Sequence, residues 1–255
     1  MSRILITGAS RGIGRAVAEE LTARGHEVVA TARDASALAD VPAVARLELD
    51  VTDESSVSAA VAAAGRIDAL VSNAGATVRA PLETVPVGEV QRLFDLNTLG
   101  ALRVAQAVMP GMRERGAGQL IFMSSIQGRV AIPLIGPYAA SKWALEAIAE
   151  TLAIEAAHFG ISVHLLEPAA VSSGGAERAK VFLDDSNPYR PLLDQMPGFR
   201  SDPVTVQEVA AAVALACEDI HAPLRIPVGA PATSVLARRK AAPEDVPFLA
   251  APLDW

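Results

Sequence analysis

Short aliphatic runs alternate with helical patterns from the start of the chain, and this alternation limits the fold more than any other feature. "RILIT" (3 to 7) precedes a helical pattern from Ile13 to Arg24, and "EVVAT" (27 to 31) follows it. Short strands separated by helices form βαβ units, whose strands lie parallel. The rhythm continues through "RLELDV", "IDALVS", "GQLIFMSS" and "ISVHLLEP", with helices beginning near Asp53, Val87 and Tyr138. A last helix over about 205 to 219 precedes "LRIPVG", which makes seven candidate strands with no break in composition before about residue 172. The pattern predicts one α/β domain over 1–255, a doubly wound parallel sheet with helices on both faces. Two stretches leave the rhythm. Residues 172–204 are rich in Gly, Pro and Asp, and so long a segment before a helix is usually functional or mobile. The tail from Ala230 reads as only partly ordered, and no internal repeat is found.

Composition narrows the function classes. Hydrophobic residues make up 51% of the 255 and aromatics only 4%, so the core is expected to be aliphatic. The net charge is −7, and the longest basic run is Arg238, Arg239 and Lys240, which is too short to track a nucleic-acid backbone. Nucleic acid is not an expected partner. Cys217 stands alone, excludes an internal disulfide and reads as a small buried hydrophobe, which fits the cytoplasm. No stretch approaches the roughly 18 apolar residues of a membrane span, and no long apolar region marks an export signal, so no membrane association is expected. His26, His158, His164 and His221 show no metal-ligand spacing, and no protein-bound metal is expected.

"TGASRGIG" (Thr7 to Gly14) lies between the first strand and the first helix. Glycines there allow a tight turn and a close approach to a pyrophosphate, whose charge the helix N-terminus stabilises. The spacing of Gly8, Gly12 and Gly14 is a TGxxxGxG variant of the usual fingerprint, so Ser10, Arg11 and Ile13 share the cradle. The second strand closes as "VVATARD", with Ala32 where an acid would select NAD and Arg33 directly after it. Asp34 falls one step too late, facing solvent, while Arg11 and Arg33 suit a 2′-phosphate, so the expected cofactor is NADP. Further polar groups sit at strand ends, where open α/β sheets bind ligands. They are Asp50 with Val51 after the third strand, Asn73, Ala74 and Gly75 after the fourth, and Ser124 and Ser125 after the fifth. Tyr138 and Lys142 stand four apart at a helix start and so share one face.

Taken together, TGxxxGxG at 7–14, NAG at 73–75, Asn97, Ser125 and YxxxK at 138–142 resemble a short-chain dehydrogenase/reductase, in order and spacing, over roughly residues 3–229. The resemblance implies a Rossmann-type seven-stranded parallel sheet and a catalytic tetrad of Asn97, Ser125, Tyr138 and Lys142. Ser125, 13 residues before Tyr138, is favoured over Ser124 by the family's interval. Tyr138 would exchange the proton of a carbonyl–alcohol pair, its pKa lowered from about 10 by the Lys142 ammonium and the oxidised cofactor. Lys142 would also hold the nicotinamide ribose, Ser125 the substrate oxygen, and Asn97 a water that relays protons to Lys142. After the sixth strand "PAAVSS" (Pro168 to Ser173) replaces the family's PGxVxT. Pro168, Val171 and Ser173 are expected at the cofactor, and Ala169 gives up the freedom to take φ > 0.

The wording "YAASKWALE" is similar to the branch containing retinol and hydroxysteroid dehydrogenases. In relatives the segment after the sixth strand covers the active site, so Val181, Phe182, Leu183, Tyr189, Leu192, Met196 and Phe199 are candidates either for an apolar substrate pocket or for core packing beneath a loop. The substrate class implied is a carbonyl or alcohol of medium size. A homodimer or homotetramer is expected, with Ala144, Leu145, Ala149 and Leu152 either packing across a two-fold axis or facing the protein's own sheet.

Overall fold

A computed structural model describes residues 1–175, 178–184, 186–195 and 203–248. The strands are β1 Arg3–Ile6, β2 Glu27–Ala32, β3 Ala45–Glu48, β4 Ala69–Ser72, β5 Val78–Arg79, β6 Gly118–Met123, β7 Ile161–Pro168, β8 Lys180–Val181 and β9 Arg225–Val228. The helices are α1 Gly12–Ala23, α2 Glu54–Ala64, α3 Val87–Phe94, α4 Gly100–Arg115, α5 Gly136–Ala157, α6 Arg190–Gln195, α7 Val206–Glu218 and α8 Ala230–Ala241. Seven strands form one parallel sheet in the order β3-β2-β1-β4-β6-β7-β9. Strand order reverses between β1 and β4, and that crevice is where a doubly wound sheet receives its ligand.

Local chemistry fixes the helix ends. Asp53 caps α2 by accepting from the Ser55 and Ser56 N–H groups, and Thr205 and Glu208 cap each other at the start of α7. Gly116, left-handed at φ 66°, ends α4. Alternate strand residues feed two cores. Ile4, Ile6, Val28 and Ile121 face α1 and α7, whereas Leu5, Val29, Leu70 and Phe122 face α2, α4 and α5. Each such side chain, fully buried, contributes about 1.5–3 kcal/mol, so both layers are needed to hold the sheet edge that carries the site.

The expected doubly wound sheet is present with all seven strands, and two details differ. The tail forms α8, which the sequence hides because Ala232 is its only buried residue among those described. A second sheet of two residues per strand pairs β5 with β8, too short for any periodicity to show. Of the two roles left open for the α5 stripe, facing the protein's own sheet is the one seen for three of its residues, and Ala144 is partly buried. Leu145, Ala149 and Leu152 are buried in the second core, where the sheet supplies the apolar surface they cover.

Candidate active site

The glycine turn joins β1 to α1 on backbone geometry alone. Gly8 and Gly12 are left-handed, at φ 69° and 54°. A Cβ on Gly14 would stand 2.3 Å from the Gly8 carbonyl oxygen and 2.5 Å from Asn73 Nδ2, so no side chain fits there. Arg11 precedes α1 without a side-chain cap, which leaves the first-turn N–H groups of Gly12, Ile13 and Gly14 directed out of the helix. Thr7 Oγ1 accepts from the Asn73 and Ala74 N–H groups at 2.9 and 3.0 Å, and Asn73 Nδ2 donates to the Thr7 and Gly8 carbonyls. The Asn73 amide therefore braces the turn, a supporting role that its place in the NAG motif does not reveal.

Arg11 and Arg33 are exposed and form no ion pair with any described residue. Asp34 is occupied locally, its Oδ1 accepting from the Ser36 N–H at 2.9 Å and the Ser36 hydroxyl at 2.6 Å. Asp50 is likewise used in a turn, accepting from Thr52, and Val51 is buried beneath Gly100. The donor set at this crevice is an uncapped helix start, two unpaired guanidinium groups and a turn that excludes side chains. That set fits a dinucleotide bearing phosphate.

Across the crevice, the end of β6 faces the first turns of α5. Tyr138, partly exposed, stands near the Ser125 hydroxyl, which pulls its phenol down. Ser125 also starts the short turn Ile126–Gly128, accepting from the Gln127 N–H, and makes a long 3.5 Å contact to the Pro168 carbonyl. Ser124 points the other way, into the protein, and donates to Glu146. The two serine hydroxyls thus have different partners. Lys142 Nζ donates to the Met123 carbonyl at 2.6 Å and lies 5.7 Å from the centre of the Tyr138 ring.

The charges differ from expectation. Burial pushes the Tyr138 phenol up to about 12, only partly countered by the Ser125 hydroxyl, and pushes the Lys142 amine down to about 8 against the raising influence of Glu146. Protein groups alone therefore leave Tyr138 above its ordinary value, because desolvation outweighs the pull of Ser125, while the Lys142 amine turns to a backbone carbonyl.

Asn97 lies in a π-helical turn, Asp95–Leu99, between α3 and α4. Its Oδ1 accepts from the Ala76 N–H at 2.9 Å while Nδ2 donates to the Ala76 carbonyl and to Ser141 Oγ. Both amide hydrogens are taken, so the side chain ties the loop after β4 to α5. After β7, Ala169 needs no positive φ, since Leu134 is the one non-glycine residue with φ > 0 among those described. The loss of glycine there leaves this turn unstrained. Val171 bridges to Val204, and the Ser173 carbonyl stands over Gly12, 3.2 Å from where a Cβ would be.

Leu134, at φ 64°, costs about 1 kcal/mol of backbone strain. Its side chain packs with Leu183, Ile132, Tyr189 and Leu192 into a small apolar cluster. Leu183, Tyr189 and Leu192 thus meet as the sequence suggested, and Phe182 is partly buried, whereas Val181 points to solvent. Met196 and Phe199 lie outside the described residues.

The short chain dehydrogenase family profile matches residues 2–181, and the chain belongs to that family, whose members use a nicotinamide cofactor. It is 39% identical over 191 residues to 17-beta-hydroxysteroid dehydrogenase type 1 of Mus musculus, covering 69% of this chain and 56% of the mouse protein. The matched part is thus little more than half of that relative's length. Among solved structures, a short-chain dehydrogenase from Streptomyces avermitilis superposes with a TM-score of 0.85 at 35% identity, over 94% of this chain and 93% of that one. A short chain dehydrogenase from Burkholderia cenocepacia in complex with NADP gives 0.80 at 28% identity, over 96% and 94%.

Proposed function

We propose that the chain is an NADP(H)-dependent oxidoreductase that interconverts a ketone or aldehyde with an alcohol, with Tyr138 as the proton-exchanging group. The observation that carries the reading is the meeting of Tyr138, Lys142 and Ser125 at the carboxyl edge of the sheet, with the Lys142 amine 5.7 Å from the Tyr138 ring centre. When bound, the nicotinamide supplies or receives the hydride. Tyr138 gives its proton to the carbonyl oxygen as charge develops there, and Ser125 donates a hydrogen bond that holds that oxygen in reach. Lys142 carries the positive charge that stabilises the phenolate left behind. In the reductive direction Tyr138 acts as the acid, and the oxidative direction starts from its phenolate. That direction is the rival reading, and the named activity of the mouse relative speaks for it.

The preference for NADP over NAD is supported by the unpaired Arg11 and Arg33, by the occupied Asp34 and by the NADP-bound Burkholderia neighbour. The N–H groups at Gly12 to Gly14 would hold the pyrophosphate, Arg11 and Arg33 the 2′-phosphate, and Tyr138 and Lys142 the nicotinamide ribose. Asp50, Val51, Asn73, Ala74, Gly75, Pro168, Val171 and Ser173 line the remainder. An apolar substrate fits the cluster around Leu134. Self-association into a dimer or tetramer would use the outer face of α5, where Trp143 and Ile154 are exposed. A cytoplasmic site of action agrees with the buried free Cys217, and no helix among the described residues is long and apolar enough to cross a membrane.

The test is NADPH consumption over a panel of ketones and aldehydes, followed by absorbance beside Tyr138→Phe. Turnover is expected to fall by about 100-fold or more in the variant. Turnover that survives the loss of the phenol hydroxyl refutes the assignment.

A further inference from the structure

Behind the candidate site lies a buried charged cluster. α5 carries Tyr138, Lys142, Glu146 and Glu150 at intervals of four, so all share one face. Glu146 is only 4% exposed. Its Oε1 accepts from the Ser124 hydroxyl at 2.5 Å and its Oε2 from Arg225 Nε at 2.9 Å, while Arg225 also reaches Glu150 at 2.6 Å. The end of β6 is thereby pinned to α5 at two successive turns, through Lys142 to the Met123 carbonyl and through Ser124 to Glu146. Ser125 follows directly. The turn after it closes onto the same contact, since a Cβ on Gly128 would lie 2.8 Å from Glu146 Cγ and 2.9 Å from Ser124 Oγ.

The charged groups facing Glu146 come from every packed element: Lys142 and Glu150 on α5, Arg129 after β6, Glu167 on β7 and Arg225 on β9. Glu167 is 2% exposed, and its Oε1 has no hydrogen-bond partner among the described residues, with Arg129 Nη1 3.7 Å away. Burial, and then the Glu146 carboxylate, push Glu167 up to about 7. Glu146 is the better satisfied of the two carboxyl groups, because Ser124 and Arg225 both hold it. It is also the acid one turn from Lys142.

We propose that Glu146 is a positioning residue for the reaction assigned above: it fixes Ser125 opposite Tyr138 through Ser124, and it places its carboxyl group one helical turn from the buried Lys142 amine. The inference rests on the dehydrogenase reading, and its test is built to fail separately from it. The chain has only three lysines, Lys142, Lys180 and Lys240, so carbon-labelled lysine resolves the titration of Lys142 by NMR without any turnover. In Glu146→Gln the Lys142 midpoint is expected to fall by about one unit, and the alkaline decline of kcat to move with it. In Ser124→Ala the carboxyl group remains, so the midpoint should hold while kcat drops about tenfold and the KM for NADPH does not change. A Lys142 titration untouched by Glu146→Gln, or Ser124→Ala turning over like the parent, overturns the proposal. Should Glu146→Gln fail to fold, Ser124→Ala decides through its split between kcat and KM. A parent protein that turns over no carbonyl sinks the dehydrogenase reading instead, and the Lys142 titration still judges the placement of Glu146 beside Lys142.

Discussion

Two loops meet over Gly12, and they are held by different physics. The turn from Thr7 to Gly14 is shaped by backbone: two left-handed glycines, and a third whose Cβ would collide with a carbonyl. The loop leaving β7 is held by side chains and one short strand pairing. Arg178 Nη2 donates to the Ser173 carbonyl, Lys180 pairs with Glu89, Tyr189 bonds Glu83, and β8 lies beside β5. Backbone geometry of the first kind admits no substitution, whereas contacts of the second kind can be exchanged one at a time. A fold arranged in this way keeps its cofactor cradle fixed while the wall facing the substrate can be resculpted.

The contrast breaks first at Gly14. Gly14→Ala puts a methyl group against main chain that cannot swing aside, so a loss of about 3 kcal/mol is expected, close to 10 °C in Tm for a chain of this size. NADPH binding, followed by cofactor fluorescence, should disappear with it. A variant that melts and binds like the parent would show that the turn is adaptable and that the contrast is false.

Arg33→Asp tests the chemistry of the cradle without its shape. Arg33 is exposed, so stability should change by less than about 0.5 kcal/mol. The ratio of kcat/KM for NADPH over NADH should fall by about 10- to 100-fold, because a charge-assisted contact worth about 1.5–3 kcal/mol is lost and a repulsion added. An unmoved ratio would place the 2′-phosphate elsewhere.

How much of this was legible in the sequence follows the same division. Period and spacing are local properties, so the seven strands, the glycine turn and the Tyr138–Lys142 face could be read directly. Asp34 read from its position as solvent-facing, but that its Oδ1 is held by Ser36 could not be read there. Glu146, Glu167 and Arg225 went unnoticed because charged residues normally face solvent, and their burial depends on β6, β7, β9 and α5 meeting at one point. The interval of four from Lys142 to Glu146 was the available signal. Leu145, Ala149 and Leu152 illustrate the converse: an apolar stripe on a helix marks a buried face without saying what buries it.

The smallest expected effect lies in the substrate-side loop. Lys180 Nζ meets Glu89 at 2.8 Å, joining that loop to the start of α3, but the lysine side chain is 61% exposed. Solvent screens such a pair, so Lys180→Ala should cost about 0.2–1 kcal/mol at most and move the Tm by no more than about 4 °C. The cradle does not depend on it, and NADPH affinity should stay as it was. If this loop shapes the substrate side, loosening it should raise the KM for the carbonyl a few-fold while kcat holds, since the pair touches no reacting atom. A matching loss of cofactor affinity would mean that the contact between Ser173 and Gly12 transmits the change, and that the two loops act as one unit.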